Sequence, residues 1–282
     1  MAETEEQVRT ANRIHSAVAV MSGKGGVGKS SLAALLAVAL SRSGQRVGLL
    51  DADITGPSIP RMFGLSERLR FSPFGIIPST SANGIKVMSM NLLLDREDDA
   101  VIWRGPLISS AIKQFWSEVY WGELDTLVVD LPPGTSDASL TVMQSLPLNG
   151  VVLVTSPQDL AGMVVRKAAS MAAQLGVPLT GLIENMSYLV CPHCQERVEV
   201  FGPSHAAETS ERLGVPLLGR LPLDPELARL ADSGAIEEYE NSAISEISEQ
   251  VSARLQTEPS KPAFADSKGG VVSCSQVNGG AK

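Results

Sequence analysis

Cysteine, aromatic residues and long apolar runs are all scarce in this sequence of 282 residues. The three cysteines, Cys191, Cys194 and Cys274, cannot supply the disulfide framework of a small secreted domain. No apolar run reaches the roughly 20 residues that a membrane-spanning helix requires. Residues 1–15 are polar and carry acids, which is typical of neither a signal peptide nor a transit peptide. We therefore expect a cytoplasmic protein that does not associate with a membrane.

An excess of positive charge is also absent, because the formal net charge is −8. Proteins that bind nucleic acid regardless of sequence depend on lysine and arginine side chains that meet phosphates. An acidic chain likewise gains little from the anionic surface of a membrane. We therefore expect no nucleic-acid partner.

Aliphatic residues are abundant, and short apolar runs alternate with segments of helical periodicity. These patterns predict strands at residues 16–21, 46–50, 85–90, 126–131, 150–155, 179–185 and 217–221. They predict helices at residues 30–41, 108–119, 162–175 and 243–255. Strands that alternate with helices indicate an α/β fold, a doubly wound and mostly parallel sheet with helices on both faces. Ligands of such sheets bind at the carboxyl ends of the strands.

The composition divides the chain into three parts. We expect residues 1–14 to form a mobile head and residues 15–256 to form one folded domain. Residues 257–282 are rich in Pro, Lys, Gly, Ser and Asn and poor in apolar side chains, so we expect a disordered tail.

A glycine-rich phosphate loop, residues 23–30, lies between the first predicted strand and its helix. It matches G-x-x-x-x-G-K-[ST], in which small residues let phosphate oxygens approach several backbone N–H groups at once. The N-terminus of the helix favours an anion there. Lys29 would reach the β- and γ-phosphates, and the Ser30 hydroxyl would hold Mg²⁺. We predict that ATP contacts Gly23, Lys24, Gly25, Gly26, Val27, Gly28, Lys29, Ser30 and Ser31.

Lys24 is a second cation that the general motif does not require. With it the loop resembles the "deviant" Walker A loop of the MinD, ParA and nitrogenase-iron-protein class. The resemblance implies that Lys24 contacts nucleotide held by a facing subunit, so that the ATP-bound state is a homodimer. The alternative is a solvated lysine at the edge of a loop.

Carboxylates follow two of the predicted strands. Asp130 ends an apolar run and matches the Walker B position, from which it would hold Mg²⁺ directly or through water. Asp51 and Asp53 follow an earlier strand, and a solvated turn is their alternative interpretation. Resemblance to the same class implies that Asp53 orients or activates the attacking water and contributes to the Mg²⁺ site, while Asp51 braces it.

Asn185 ends the strand predicted at residues 179–185. In the class that the loop resembles, the matching asparagine binds the edge of adenine, and a carboxamide offers the required donor and acceptor. The alternative is an asparagine that satisfies backbone groups at a strand end.

Cys191 and Cys194 form a CxxC pair shortly after Asn185. Tetrahedral zinc and a cubane iron–sulfur cluster both need four ligands, of which the pair supplies two. His193 is a conceivable third ligand. A twofold dimer would complete the count, because each subunit brings one pair to the axis. A structural zinc between subunits and a redox or incidental thiol pair stay open as alternatives.

Four motifs in order behind the phosphate loop resemble those of the Mrp/ApbC-type iron–sulfur cluster carrier ATPases. They are Trp103-Arg-Gly-Pro, Asp130-Leu-Pro-Pro-Gly-Thr-Ser-Asp, Glu184-Asn-Met-Ser-Tyr and the CxxC pair. The resemblance implies a homodimer that holds a bridging [4Fe–4S] cluster on Cys191 and Cys194. It further implies ATP-controlled transfer from an assembly scaffold to apo iron–sulfur proteins.

Two other classes share the loop and the acidic motifs. A positioning or partition ATPase of the MinD or ParA type would use a basic membrane helix or a basic DNA face. Glu246 and Glu249 in the last predicted helix and the net charge of −8 weigh against both. A nitrogenase-iron-protein-like reductase takes its ligands from two separate cysteines, whereas this chain has a close-set pair.

Overall fold

The computed structural model describes residues 12–53, 56, 58–66, 69–72, 75–89, 92 and 114–257, without the side chains of residues 159–163. Eleven strands occur in these residues. They are β1 (Arg13–Ser22), β2 (Val47–Asp51), β3 (Arg70–Ser72), β4 (Gly75–Ile77), β5 (Ser79–Thr80), β6 (Lys86–Ser89), β7 (Glu123–Asp130), β8 (Gly150–Thr155), β9 (Leu179–Val190), β10 (Arg197–Val198) and β11 (Leu217–Pro222).

The main sheet has the order β5-β6-β2-β7-β1-β8-β9, and β11 pairs with the outer side of β9. All of these neighbours are parallel except β5, which pairs antiparallel with β6. The short strand β10 folds back antiparallel onto the end of β9, and β3 and β4 form a separate hairpin. The central strands are buried on both faces, which explains their continuous aliphatic runs.

Helices cover both faces of the sheet. They are α1 (Lys29–Arg42), α2 (Ile59–Met62), α3 (Asp137–Ser145), α4 (Asp159–Gln174), α5 (Ala206–Leu213), α6 (Pro225–Asp232) and α7 (Ser242–Thr257), with a 3-10 turn at Ile236–Glu238. One apolar layer packs α3 and α4 against the sheet, and the other packs α1, α6 and α7. Helix α1 is buried along nine consecutive residues, from Leu32 to Leu40, so it lies between the sheet and other helices.

The predicted fold class is confirmed: the sheet is doubly wound, mostly parallel and covered on both faces. All seven predicted strands are present, and β8 has the predicted bounds. Strand β1 begins at Arg13, inside the predicted head. The buried Asn12 side chain fixes this end, because it donates a hydrogen bond to the Val119 carbonyl and accepts one from the Gly122 N–H. The rest of the predicted head and the tail from residue 258 lie outside the described residues.

Other predicted bounds need correction. The helix expected at residues 108–119 is described only from residue 114, and it ends before Val119, which pairs with Ile76 in an isolated bridge. Strand β9 extends five residues past its predicted end at Asn185 because β11 and β10 supply further partners. In the part of the chain that the structure describes, no helix is long and apolar enough to cross a membrane.

Candidate functional site

The phosphate loop joins β1 to α1 at the carboxyl end of the sheet. Gly26 and Gly28 adopt φ angles of 80° and 78°, a region that side chains disfavour, and Gly28 caps α1. A Cβ on Gly23 would lie 2.6 Å from the backbone of Val164, so the loop packs directly on α4. Gly25 and Gly26 face open space. The loop therefore presents backbone N–H groups at the start of a buried helix, the arrangement that binds phosphate.

Lys29 and Asp130 form a buried ion pair beneath this loop. Lys29 Nζ lies 2.5 Å from Asp130 Oδ1 and donates to the Ser30 hydroxyl at 3.2 Å. Burial raises the pKa of Asp130, while the Lys29 charge and the Ser30 hydroxyl lower it. The second carboxylate oxygen, Oδ2, is buried and has no hydrogen-bond partner within the described structure. A buried carboxylate oxygen beside a Ser hydroxyl suits Mg²⁺, which prefers oxygen ligands.

Asp51 and Asp53 lie next to Asp130, because Asp51 and Asp130 are paired in register at the ends of β2 and β7. Asp51 accepts hydrogen bonds from the backbone N–H groups of Asp53 and Ile59 and from the Ser89 hydroxyl. Burial, reinforced by the charge of Asp130, raises the pKa of Asp51 to about 8. Asp51 thus fixes the backbone after β2, and Asp53 lies close enough to raise the pKa of Asp130.

Lys24 is partly buried and donates through Nζ to the side-chain oxygen of Gln158, at the start of α4. This contact holds the lysine on the α4 side of the loop within one chain. Its expected contact with a nucleotide in a facing subunit stays a prediction.

Asn185 lies against the phosphate loop. Its Nδ2 donates to the Val27 carbonyl at 2.9 Å, and a Cβ on Gly28 would come within 2.2 Å of the same nitrogen. The carboxamide therefore also satisfies a backbone group, the alternative weighed for it from sequence. Its expected contact with adenine stays a prediction.

The CxxC pair lies at the tip of a hairpin formed by β9 and β10. The Cys191 backbone N–H donates to the Glu196 carbonyl, and the Gln195 N–H donates to the Cys191 carbonyl, both at 2.9 Å. This tight turn points the N–H groups of Cys194 and His193 at the sulfur of Cys191, which lowers its pKa. Cys191 is partly exposed and Cys194 is exposed. The turn therefore presents two accessible sulfurs, one of which is biased toward the thiolate that binds metal.

Neither His193 nor another side chain completes a metal site on this hairpin. Among the described residues, no group of three or more His, Cys, Asp or Glu side chains is placed to hold a metal ion. Cys274 and the Trp103–Pro106 motif lie outside the described residues.

Four polar residues beside the site were given no role from sequence. Gln158 holds Lys24, and Arg220 on β11 reaches the buried Glu184 and Ser187 beside Asn185. Gln158 and Arg220 carry no motif of their own. Glu184 and Ser187 belong to the Glu184-Asn-Met-Ser-Tyr motif, but their contacts with Arg220, which is distant in sequence, are visible only in the structure.

A parallel sheet with this loop, ion pair and acidic strand ends defines a P-loop NTPase. A family model described as "ParA: NUBPL iron-transfer P-loop NTPase" matches residues 13–256. The chain belongs to this family.

Named relatives agree with that assignment. The chain is 44% identical over 234 residues to the "Iron-sulfur cluster carrier protein" of Clostridium perfringens, covering 80% of this chain and 82% of that protein. It is 45% identical to the protein of the same name from Methanocaldococcus jannaschii, with 83% and 82% covered. It is 42% identical to the "Cytosolic Fe-S cluster assembly factor Nubp2 homolog" of Drosophila grimshawi, with 90% and 99% covered.

Solved structures share the fold. A nucleotide-binding protein from Archaeoglobus fulgidus, solved with ADP and with cobalt found, superposes with a TM-score of 0.75 at 44% identity and covers 85% of this chain and 95% of that one. The cell-division ATPase MinD of Pyrococcus furiosus superposes at 0.61 with 21% identity, covering 86% and 98%. At 21% identity, the likeness to MinD concerns the fold alone. The family match does not favour the positioning or partition ATPase alternative.

Proposed function

We propose that this protein is an ATP-dependent carrier that binds an iron–sulfur cluster between two identical subunits and delivers it to apo-proteins. The observation that carries the proposal is an exposed pair of thiols on a chain that also holds a complete phosphate loop. Relatives named as iron–sulfur cluster carriers support the same cargo.

The nucleotide half of the proposal rests on the loop and its buried ion pair. Residues 23–31 would surround the phosphates, and Ser30, Asp53 and Asp130 would hold Mg²⁺, which neutralises phosphate charge when bound. Lys29 would turn from Asp130 toward the β- and γ-phosphates. Asp53 would orient the water that attacks the γ-phosphate, and Asp51 keeps the backbone of Asp53 in place. Asn185 would contact adenine.

The metal half of the proposal rests on a ligand count. A [4Fe–4S] cluster is held by four thiolates, and Cys191 and Cys194 supply two per chain. Cys194 Sγ hydrogen-bonds to Glu196 Oε2 at 3.8 Å, but no group of three or more His, Cys, Asp or Glu side chains among the described residues could hold a metal ion. A second subunit related by a twofold axis would supply the other pair.

The surface around the cysteines favours such a pairing. Four large apolar side chains near the pair are exposed, namely Val190, Val198, Val200 and Phe201. Apolar side chains grouped at a surface typically mark a contact with another protein. We assign this group to the subunit interface and to the acceptor proteins that approach the cluster.

Nucleotide binding and cluster binding would be coupled because the dimer would bind the cluster with different affinities in its ATP-bound and ADP-bound states. ATP draws two subunits together, with Lys24 reaching the nucleotide of the facing subunit. Hydrolysis to ADP and phosphate would relax the segments that carry Asp53 and Gly134; the Gly134 N–H donates to the Ser22 carbonyl beside the loop. Release of the cluster follows only if the ADP-bound dimer holds it less tightly than the ATP-bound dimer. The donor would be a cluster-assembly scaffold, the acceptors apo iron–sulfur proteins, and the compartment the cytoplasm.

Anaerobic reconstitution with iron and sulfide tests the proposal. The wild-type chain should take up iron and develop the visible absorption of a cluster. C191S and C194S should abolish that absorption while nucleotide affinity stays within about twofold of wild type, because both sulfurs lie outside the phosphate loop. Normal iron uptake by both variants would remove the proposed site, and zinc retained in place of iron would favour the structural-zinc alternative.

A further inference from the structure

Strand β9 links the phosphate loop to the cysteine hairpin, because Asn185 on this strand hydrogen-bonds to the loop and the strand runs on into the hairpin. Asn185 contacts the loop at Val27, and Cys191 follows six positions later, directly after the strand ends at Val190. A displacement at the loop that moves Asn185 therefore has a short path to the cysteines.

The segment between these two points is irregular. Pairing with β11 shifts register there, because Arg220 pairs with Glu184 whereas Pro222, two residues on, pairs with Tyr188. Met186 adopts a φ of 55°, which side chains rarely tolerate outside sites where the surroundings enforce it. Bulges of this kind bend a strand and concentrate near functional sites. Strand β9 is therefore irregular around Met186, between the residue that contacts the loop and the end that carries the cysteines; we call this irregular point the joint.

Arg220 spans this joint. Its Nε donates to the Ser187 hydroxyl at 2.7 Å and lies 3.4 Å from Glu184 Oε2. Ser187 in turn donates to the same carboxylate, and both Glu184 and Ser187 are buried. At its other end Arg220 lies 3.6 Å from Oε1 of Glu199, the first residue after β10. One guanidinium thus contacts both the loop side of the joint and the base of the hairpin.

We infer that Arg220 is a positioning residue that couples the phosphate loop to the cysteine hairpin, with Glu184 and Ser187 at one end and Glu199 at the other. A planar guanidinium suits this role because its five donors serve two carboxylates and a hydroxyl at once. A change at the loop that shifts Glu184 and Asn185 would then move Glu199 and the turn that carries Cys191. The inference rests on the proposed function, since it specifies how nucleotide state would reach the cluster ligands.

Thiol alkylation in the metal-free chain tests the coupling directly. The rates of iodoacetamide modification of Cys191 and Cys194 are measured by peptide mass spectrometry, with ADP and with a non-hydrolysable ATP analogue. In the wild type we expect the two rates to differ by about fivefold, the low end of usual coupling between sites. In R220M this ratio should fall close to one while nucleotide affinity stays near wild type; the thermal midpoint should fall, because the buried Glu184 carboxylate loses its cation. R220K, which keeps the charge but not the forked geometry, should give an intermediate ratio.

Two further variants separate coupling from a purely structural role. E199Q alters only the exposed, hairpin end of the network, so it should lower the alkylation ratio even if R220M fails to fold. R229M is the matched control, because Arg229 forms a comparable exposed ion pair with Glu226 on α6 and should leave the ratio unchanged.

The inference is overturned if R220M and E199Q keep the wild-type ratio, if the wild-type ratio is already one, or if E199Q abolishes nucleotide binding. These outcomes differ from failure of the carrier proposal, which appears as absence of iron uptake by the wild type, because alkylation is measured without iron.

Discussion

At the scale of single residues, the nucleotide site is a compact group of buried charges. Lys29 compensates Asp130, while Asp51 is buried beside them with hydrogen-bond donors but no cation in direct contact among the described residues. Placing three ionisable groups in so small a space costs stability unless each is paired or neutralised. Asp130 is paired with Lys29, and Asp51, with its pKa of about 8, is largely neutral below that pH.

Lys29 is expected to carry most of the phosphate affinity. Charge-assisted hydrogen bonds contribute about 1.5–3 kcal/mol, so K29A should weaken ATP binding by roughly one to two orders of magnitude. Isothermal titration in the presence of Mg²⁺ measures this loss, and iron uptake should be unaffected. K24A is the matched control: it should leave ATP binding by single subunits intact but reduce ATP-dependent dimerisation. Equal loss of affinity in both variants would contradict the separate roles assigned to the two lysines.

Asp51 should make stability depend on pH in the metal-free, nucleotide-free chain. Its pKa is about 8 in the folded state and about 3.9 when unfolded. The folded chain therefore binds more protons between these values, and the free energy of unfolding falls as pH rises through this window. One such group accounts for at most about 1.4 kcal/mol per pH unit.

Urea denaturation of wild type and D51N between pH 6 and pH 9 measures this contribution. D51N cannot ionise, so its stability should vary less with pH over that range. Its one amide oxygen can replace only one of the two carboxylate oxygens that accept from the Asp53 and Ile59 N–H groups, so D51N should also be less stable overall. Parallel pH profiles for the two proteins would show that Asp51 is already ionised in the folded chain.

At the scale of elements, the phosphate loop is shaped by the strand and helix that touch it. Gly23 packs on α4, and Gly28 packs on the Asn185 side chain of β9. The loop is thus held between two elements, one of which begins at the Gln158 contact of Lys24 while the other leads to the cysteine hairpin. Close packing of this kind transmits small displacements, because there is no free space to absorb them.

Two glycines of this loop should respond very differently to alanine. G28A places a Cβ at a φ of 78° and 2.2 Å from Asn185 Nδ2, so it should lower the free energy of unfolding by about 1–3 kcal/mol. G25A meets nothing within 4 Å and should change stability by less than about 0.5 kcal/mol. Urea denaturation without nucleotide compares the two. Equal effects would show that the loop does not pack on β9 as described.

Sequence alone predicted the elements whose signals are local. The aliphatic runs of β1, β7 and β8 and the glycine-rich loop before α1 are fixed by burial on both faces and by phosphate chemistry, so they were located closely. Features that depend on partners distant in sequence were not predicted. The extension of β9 beyond Asn185 requires β10 and β11 as neighbours, and no periodicity reports such pairing.

The same distinction between local signals and distant partners applies to the residues of the candidate site. Lys29, Asp130 and the cysteine pair are identifiable because their chemistry requires a fixed spacing along the chain. The contacts of Lys24 with Gln158 and of Arg220 with Glu184 join residues that are 134 and 36 positions apart in the chain. A single sequence holds no signal for contacts of that separation.

At the scale of the whole molecule, the chain presents two accessible thiols and a complete nucleotide loop. Under the proposed function the two thiols are half of a ligand set, which a second copy of the chain would complete by presenting the same hairpin. The central claim is therefore that a cluster belongs to a pair of chains and not to one.

Native mass spectrometry of anaerobically reconstituted protein tests this claim most directly, since it reports iron, sulfide and chain number in one particle. The account predicts one [4Fe–4S] unit on a dimer, apo chains in the monomer peak, and no cluster on dimers that pair the wild type with a C191S/C194S chain. A cluster carried by a single chain, or retained by the mixed dimer, would contradict it.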